Sequence, residues 1–165
     1  MNAGLNVGQF IRTMEDGLRE FLYLQPLMIG IHSGGVWIAD SLHSALRCSE
    51  PLGTLDISFY RDDFTRIGVH PQVKASDLPV DVNERHVVLI DDVLHTGRTT
   101  RAAMNVIFDY GRPSSIVLAV LVERNGRELP VQPDVVGKRL HIDASQHVKL
   151  SGPDNLALTI TEKTP

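Results

Sequence analysis

Apolar residues recur at helical intervals near the start of the chain: Val7, Phe10, Ile11, Met14, Leu18, Phe21 and Leu22 fall on one face. The spacing predicts a helix over residues 6 to 23, stopped by Pro26. Leu27–Ile31 reads as a short buried strand. The Gly-rich turn His32-Ser33-Gly34-Gly35 then opens a second helix carrying Val36, Ile38, Ala39, Leu42, Ala45 and Leu46. Residues 55 to 59 alternate with period two and predict a strand. Residues 61 to 85 break the rhythm: they are polar, hold Pro71 and Pro79, and show little helical periodicity. An excursion of that length commonly forms a lid or a binding loop. The β-branched run Val87-Val88-Leu89-Ile90 predicts a strand buried on both faces. A loop at 91–98 and a helix over residues 99 to 110 follow, with Gly111 as the stop. Residues 116 to 122 predict another strand, and the weak alternation of Leu156, Leu158 and Ile160 one edge strand. Strands and helices in this order predict an α/β fold with a mainly parallel sheet. No repeat, low-complexity tract or linker divides the chain, so a single domain over residues 1–165 is expected.

The chemistry gathers behind the strand at 87–90. Two carboxylates, Asp91 and Asp92, stand at its carboxyl end, where open α/β sheets bind ligands. Val93, Leu94 and His95 come next, and Thr96-Gly97-Arg98-Thr99-Thr100 runs into a helix N-terminus. Free backbone N–H groups, the helix dipole and hydroxyl donors make an anion site there, and Gly97 lets the backbone approach a ligand closely. Two acids followed by a small hydroxylated phosphate nest suit a ribose phosphate. The carboxylates accept from the 2- and 3-hydroxyls while the nest holds the 5-phosphate. A solvated turn or helix cap would account for the acids alone, and an ordinary turn for Thr-Gly-Arg-Thr alone. Neither accounts for both at this spacing. The chain has no G-x-x-x-x-G-K-[ST] and no G-x-G-x-x-G after a strand, which removes kinase-like NTPases and dinucleotide enzymes.

The segment Val-Leu-Ile-Asp-Asp-Val-Leu-His-Thr-Gly-Arg-Thr-Thr resembles the 5-phosphoribosyl-1-pyrophosphate (PRPP) signature of type I phosphoribosyltransferases. More narrowly, the chain resembles the PyrR family, pyrimidine operon attenuation regulators with uracil phosphoribosyltransferase activity. Asp56-Ile57-Ser58-Phe59-Tyr60-Arg61-Asp62-Asp63, Gly111-Arg112-Pro113-Ser114-Ser115-Ile116, Leu118-Ala119-Val120-Leu121-Val122 and Arg127-Glu128-Leu129-Pro130 carry this narrower likeness. It implies the type I phosphoribosyltransferase fold, a mainly parallel twisted sheet flanked by helices. A flexible loop over the active site (about 61–85) and small hood elements (about 123–165) would complete it.

By the same resemblance Asp91 and Asp92 would hold the ribose hydroxyls, and His95 through Thr99 would wrap the 5-phosphate. His32, Ser33, Gly34 and Gly35 match the pyrophosphate loop by position. Arg61, Lys74 and Arg124 are candidates for the phosphates. Mg²⁺ would enter on the pyrophosphate, held by substrate oxygens and water rather than by direct protein ligation. The implied reaction displaces pyrophosphate from PRPP by uracil to give UMP, with residues around 124 to 130 lining the base pocket. Two positions depart from the family pattern. The pyrophosphate loop usually carries Thr-Arg-Gly where this chain has Ser33-Gly34-Gly35, a loss of about 1.5–3 kcal/mol of charge-assisted bonding to the leaving group. His95 stands where the family usually has tyrosine. It either serves as general base or base-edge partner, or simply covers the phosphate loop.

Composition narrows the partners. Apolar residues make up 42% and charged residues 22% of 165, ordinary for a soluble globular protein. No apolar run reaches spanning length, and no signal-peptide pattern opens the chain, so a cytoplasmic protein without membrane partners is expected. The single cysteine, Cys48, excludes an internal disulfide and a thiolate-rich zinc site. The resemblance implies a second role, binding pyrimidine-operon mRNA when UMP occupies the site, and a homo-oligomer. A net charge of −4 removes the usual footprint of a nucleic-acid binder. The first helix mixes Arg12 and Arg19 with Glu15, Asp16 and Glu20; Arg127, Lys138 and Arg139 are further basic candidates. Three functions are carried forward: a bifunctional uracil phosphoribosyltransferase and pyrimidine-responsive regulator, a UMP or PRPP sensor with little catalysis, and a phosphoribosyltransferase for another base.

Overall fold

The computed structural model describes residues 5–58 and 76–164. Helix α1 (Val7–Leu18) is opened by Asn6, whose side chain accepts from the Gln9 N–H at 2.9 Å. The helix predicted to reach residue 23 ends earlier. Its continuation, Arg19–Leu24, tightens into a 3-10 segment closed by Gln25 in the left-handed conformation, a common way of finishing a helix. Strand β1 (Leu27–Ile31) is buried along its whole length and leads into α2 (Gly34–Ala45).

Strand β2 spans Gly53–Leu55; Phe59, the last residue of the predicted strand, lies outside the described residues, and the strand does not continue through 56 to 58. Asp56 is the reason: its Oδ1 accepts from both the Ser58 N–H (2.9 Å) and the Ser58 hydroxyl (2.5 Å). That local turn ends the ladder despite the alternating pattern. Of the long excursion, residues 61 to 75 lie outside the described residues, and with them Arg61 and Lys74. Asp77 forms an antiparallel bridge with Thr54 on the sheet edge, and Val82 is buried.

Strand β3 (His86–Leu94) runs four residues further than the apolar run predicts, so Asp91 and Asp92 belong to the strand and the loop begins only at His95. Pairing with β4 (Ser115–Arg124) extends it, with Asp91 opposite Val120 and Val93 opposite Val122. Helix α3 (Arg98–Tyr110) lies between them in sequence and stops at Gly111. Strand β5 (Val135–Leu140) completes a five-stranded sheet in the order β2-β1-β3-β4-β5, parallel at every pairing. The tail forms a hairpin, β6 (Gln146–Ser151) with β7 (Ala157–Glu162), rather than one edge strand. Neither β5 nor β6 has an apolar run long enough to announce it.

Helices cover both faces of the sheet. On one face Phe10, Met14 and Leu18 of α1 join Ile38, Ala39 and Leu42 of α2 over Val88, Ile90, Ala119 and Leu121. Leu150 and Leu158 tie the β6–β7 hairpin to this cluster. On the other face Ala102, Ala103, Val106 and Ile107 of α3 pack on Leu89, Leu118 and Val120. Helix α2 sits almost on the backbone of β1. A Cβ on Gly30 would lie 2.8 Å from Val36 Cα and 2.9 Å from the Gly35 carbonyl oxygen. Gly30→Ala is therefore expected to lower stability by about 1–3 kcal/mol, read as a lower urea midpoint at unchanged slope.

Candidate functional site

Chain order turns around between β1 and β3. β1 and β2 are consecutive on one side, β3, β4 and β5 on the other, and the chain jumps back over β1 to start the second group. Open parallel sheets place ligands at the carboxyl ends of the strands flanking such a switch point. Here those ends carry the turn His32-Ser33 with the start of α2, and Asp91-Asp92 with the loop His95-Thr96-Gly97. The 32–35 turn and the acids of β3 therefore lie at the same end of the sheet, whereas Leu94 is buried in the core under α3 and Val93 packs into the cluster on the opposite face. The peptide between His32 and Ser33 is cis.

Packing across this crevice is tight. A Cβ on Gly35 would meet the Ile90 carbonyl oxygen at 2.6 Å. A Cβ on Gly34 would meet Asp92 Oδ2 at 2.3 Å and Asp92 Cγ at 2.7 Å. The Asp92 carboxylate thus occupies the place a side chain at 34 would take, beside the first turn of α2. First-turn N–H groups lack intrahelical partners, and the helix dipole favours a negative charge there. Asp91 is buried, its Oδ1 accepting from the Asp92 N–H at 2.9 Å, while Asp92 Oδ1 accepts from the Val93 N–H at 2.8 Å.

The loop at 95–97 is held by its carbonyls. The His95 oxygen accepts from Arg127 Nη1 at 2.5 Å, and the Thr96 oxygen from the N–H groups of Glu128 and Leu129, both at 3.0 Å. Gly97, at φ +93°, is the N-cap of α3 and takes a conformation that favours glycine. Its carbonyl accepts from the Arg101 N–H, and Thr96 Oγ1 from the Arg98 N–H at 3.2 Å. Arg98 itself pairs with Glu128 at 2.8 Å on the surface. With the carbonyls of residues 95 and 96 engaged elsewhere, the start of α3 offers N–H groups and the Thr99 hydroxyl to an anion.

Arg124 is buried at the end of β4, where Nη1 donates to the Gln146 carbonyl at 2.7 Å and Nε to the Asn125 carbonyl at 3.3 Å. It thereby joins the sheet to the β6–β7 hairpin. Burial lowers its pKa from the ordinary arginine value. The stretch after it borders an open pocket of about 400 Å³ lined by Glu123, Arg124, Asn125, Gly126, Arg127 and neighbours on β5. The His95 ring lies against Gly126, where a Cβ would stand 2.8 Å from Nε2. Burial first, then Arg124, Lys163 and His147, hold the His95 pKa below the ordinary histidine value, against an opposing pull from Glu128. Arg127, expected both in the stretch lining the base pocket and as a basic surface candidate, has its half-buried guanidinium bonded to His95, Val131 and Glu123.

The sequence pattern of the phosphoribosyl transferase domain family matches residues 11–151. A bifunctional PyrR protein of Nitrosococcus oceani is 56% identical over 164 residues, covering 96% of this chain and 93% of the relative. A bifunctional PyrR protein of Pseudomonas aeruginosa is 56% identical over 134 residues, 81% of this chain and 79% of the relative. Among solved structures, a purine phosphoribosyltransferase from Pyrococcus horikoshii superposes with a TM-score of 0.63 at 26% identity, covering 82% of this chain and 85% of the other. A hypoxanthine phosphoribosyltransferase from Staphylococcus aureus shares the fold, with a TM-score of 0.64 at 19% identity over 84% of this chain and 76% of the other.

A depressed His95 pKa has a definite sign. The unfolded chain, with histidine near 6.5, takes up the proton before the folded one does. The folded state is therefore undiminished above that pH and loses stability as the pH falls through it toward the folded value. NMR titration of the His95 ring is expected to give a midpoint below the ordinary histidine value. A His95→Asn variant should lose less stability than wild type between about pH 7 and 5.

Proposed function

The chain belongs to the phosphoribosyl transferase family and, within it, to the bifunctional PyrR proteins, and from that membership we propose that it makes UMP from uracil and PRPP and regulates pyrimidine-operon expression. The observation that carries the catalytic half is the crevice at the β1–β3 switch point. Acids and a phosphate loop border one side of it, and the helix turn at 32–35 borders the other. In this reading Asp91 and Asp92 accept from the ribose hydroxyls. The N–H groups from His95 to Thr99, with the Thr96 and Thr99 hydroxyls, hold the 5-phosphate, and Val93 and Leu94 set the loop's height above the sheet. The turn His32-Ser33-Gly34-Gly35 receives the pyrophosphate, with Arg61 and Lys74 as further phosphate ligands.

The reaction breaks the bond from ribose C1 to the pyrophosphate oxygen and forms one from C1 to uracil N1, which gives up its proton. Positive charge develops on the ribose, and the carboxylates stabilise it from fixed positions. A neutral His95 imidazole, beside Gly126 at the mouth of the base pocket, is able to accept the N1 proton. Mg²⁺ would enter on the pyrophosphate, held by substrate oxygens and water beside the hard oxygens of Asp91 and Asp92, and would neutralise charge on the leaving group.

The regulatory half is binding of operon mRNA when UMP fills the site. Arg19 pairs with Glu15 on α1, Arg127 bonds His95 and Glu123, and Arg139 shares Glu123, which leaves Arg12 and Lys138 of the basic candidates to meet RNA. RNA binding that weakens with salt and strengthens with UMP is the expected result for that half. Self-association and a cytoplasmic location complete the reading.

Purified protein with PRPP, Mg²⁺ and uracil is expected to release UMP and pyrophosphate. Pyrophosphate release with a purine and none with uracil would replace the reading by that of another base; UMP binding without turnover would make the chain a sensor. Restoring the arginine by Gly34→Arg is expected to raise the KM for PRPP by roughly tenfold or more, because its Cβ drives the Asp92 carboxylate from its place.

A further inference from the structure

A loop that grips phosphate through its N–H groups must send its carbonyls elsewhere, or they repel the anion. In this chain the two carbonyls at the start of the loop, His95 and Thr96, are both taken by one short stretch, residues 127–129. Glu128 and Leu129 contribute backbone N–H groups, which any sequence supplies. Arg127 contributes a side chain, and its geometry is specific. Nη1 donates to the His95 oxygen at 2.5 Å, Nε to the Val131 oxygen at 2.8 Å, and Nη2 to Glu123 Oε1 at 2.6 Å. Glu123 is in turn held from its second oxygen by Arg139 Nε at 2.8 Å, its cross-strand partner on β5. The same stretch packs on the loop's turning point: a Cβ at Gly97 would stand 3.3 Å from Val131 Cβ and 3.4 Å from Leu129 Cβ. One planar guanidinium therefore links the rim of the phosphate loop, the far end of the strap at 131 and the carboxyl end of β4. The Arg127 side chain is 23% exposed, so these bonds are only partly open to competition from water.

Resting on the reading of this crevice as a PRPP and UMP site, we propose that Arg127 is the positioning residue of the phosphate loop. It turns the His95 carbonyl away from the anion and fixes the loop against β4, so it acts on the phosphate through the loop rather than by contact with it. The role demands a fork of three separated donors along a plane. Lysine, a point charge on a flexible stem, cannot reach His95, Val131 and Glu123 together. Glu123 orients the fork, so its neutralisation loosens the same loop by a smaller amount.

The test compares wild type, Arg127→Lys and Glu123→Gln, by calorimetric binding of UMP and ribose 5-phosphate, steady-state kinetics with PRPP, and amide hydrogen exchange at residues 95–99. Arg127→Lys is expected to weaken binding of both phosphates roughly 10- to 100-fold and to raise the KM for PRPP in proportion, while kcat at saturation changes by less than about threefold. Exchange at 95–99 should quicken without ligand. Glu123→Gln should move every reading the same way by less, and carries the test if Arg127→Lys fails to fold. Unchanged phosphate affinity in the variants, with wild type active, overturns the role of Arg127 and leaves the functional reading standing. So does a drop in thermal stability with KM unmoved. A wild type that binds neither phosphate nor PRPP overturns both.

Discussion

The contact between helix α2 and the seam of β1 and β3 governs the geometry of the crevice. Gly30 on β1 and Gly35 on α2 leave no side chain between helix and sheet, so the start of α2 lies against Ile90 and Asp91. Parallel pairing of β1 with β3, Leu27 opposite Val87 through Gly30 opposite Ile90, sets the two carboxyl ends at one level. The turn after β1 and the acids of β3 then face each other because the backbone leaves them no alternative. With a side chain on either glycine the helix would lift, and the turn would part from the carboxylates it faces.

A second constraint acts on the loop between β3 and α3. Backbone polar groups in a tight turn need partners, and here the division is by type. The first carbonyls are satisfied by residues 127–129, the Arg98 N–H by the Thr96 hydroxyl, and the first N–H groups of α3 have no intrahelical partner. Positive charge near the loop is distributed rather than concentrated. Arg98 is paired with Glu128, and Arg127 and Arg139 share Glu123. Arg124 spends its donors on carbonyls under the β6–β7 hairpin. His95 sits among these cations and is kept neutral by burial and by their field.

Much of this was legible in the sequence because the informative signals were local. The β-branched run at 87–90, the acids that follow it, and the Thr-Gly-Arg-Thr turn into a helix all act within a few residues of one another. The α/β architecture with a mainly parallel sheet followed from the alternation of elements, while the spatial order of the strands did not. Other features depend on contacts distant in sequence. β3 extends through Leu94 because β4 offers it partners, not because Asp91 and Asp92 favour strands. β5 and β6 carry lysine, arginine and histidine at exposed positions and a half-buried glutamine, and their pairing partners alone make them strands. Residues 55 to 59 misled for the opposite reason, since the side chain of Asp56 bonds its own neighbour and halts a pattern that looked extended. Arg127 reads as a solvated charge until the His95 carbonyl, thirty-two residues upstream, is brought against it.

The meeting of Gly34 with Asp92 bears on how this chain can change over generations. Two positions 58 residues apart share one small volume, and the acid now fills it. A change at either position is therefore felt at the other, and any side chain at 34 must first find room beside the Asp92 carboxylate.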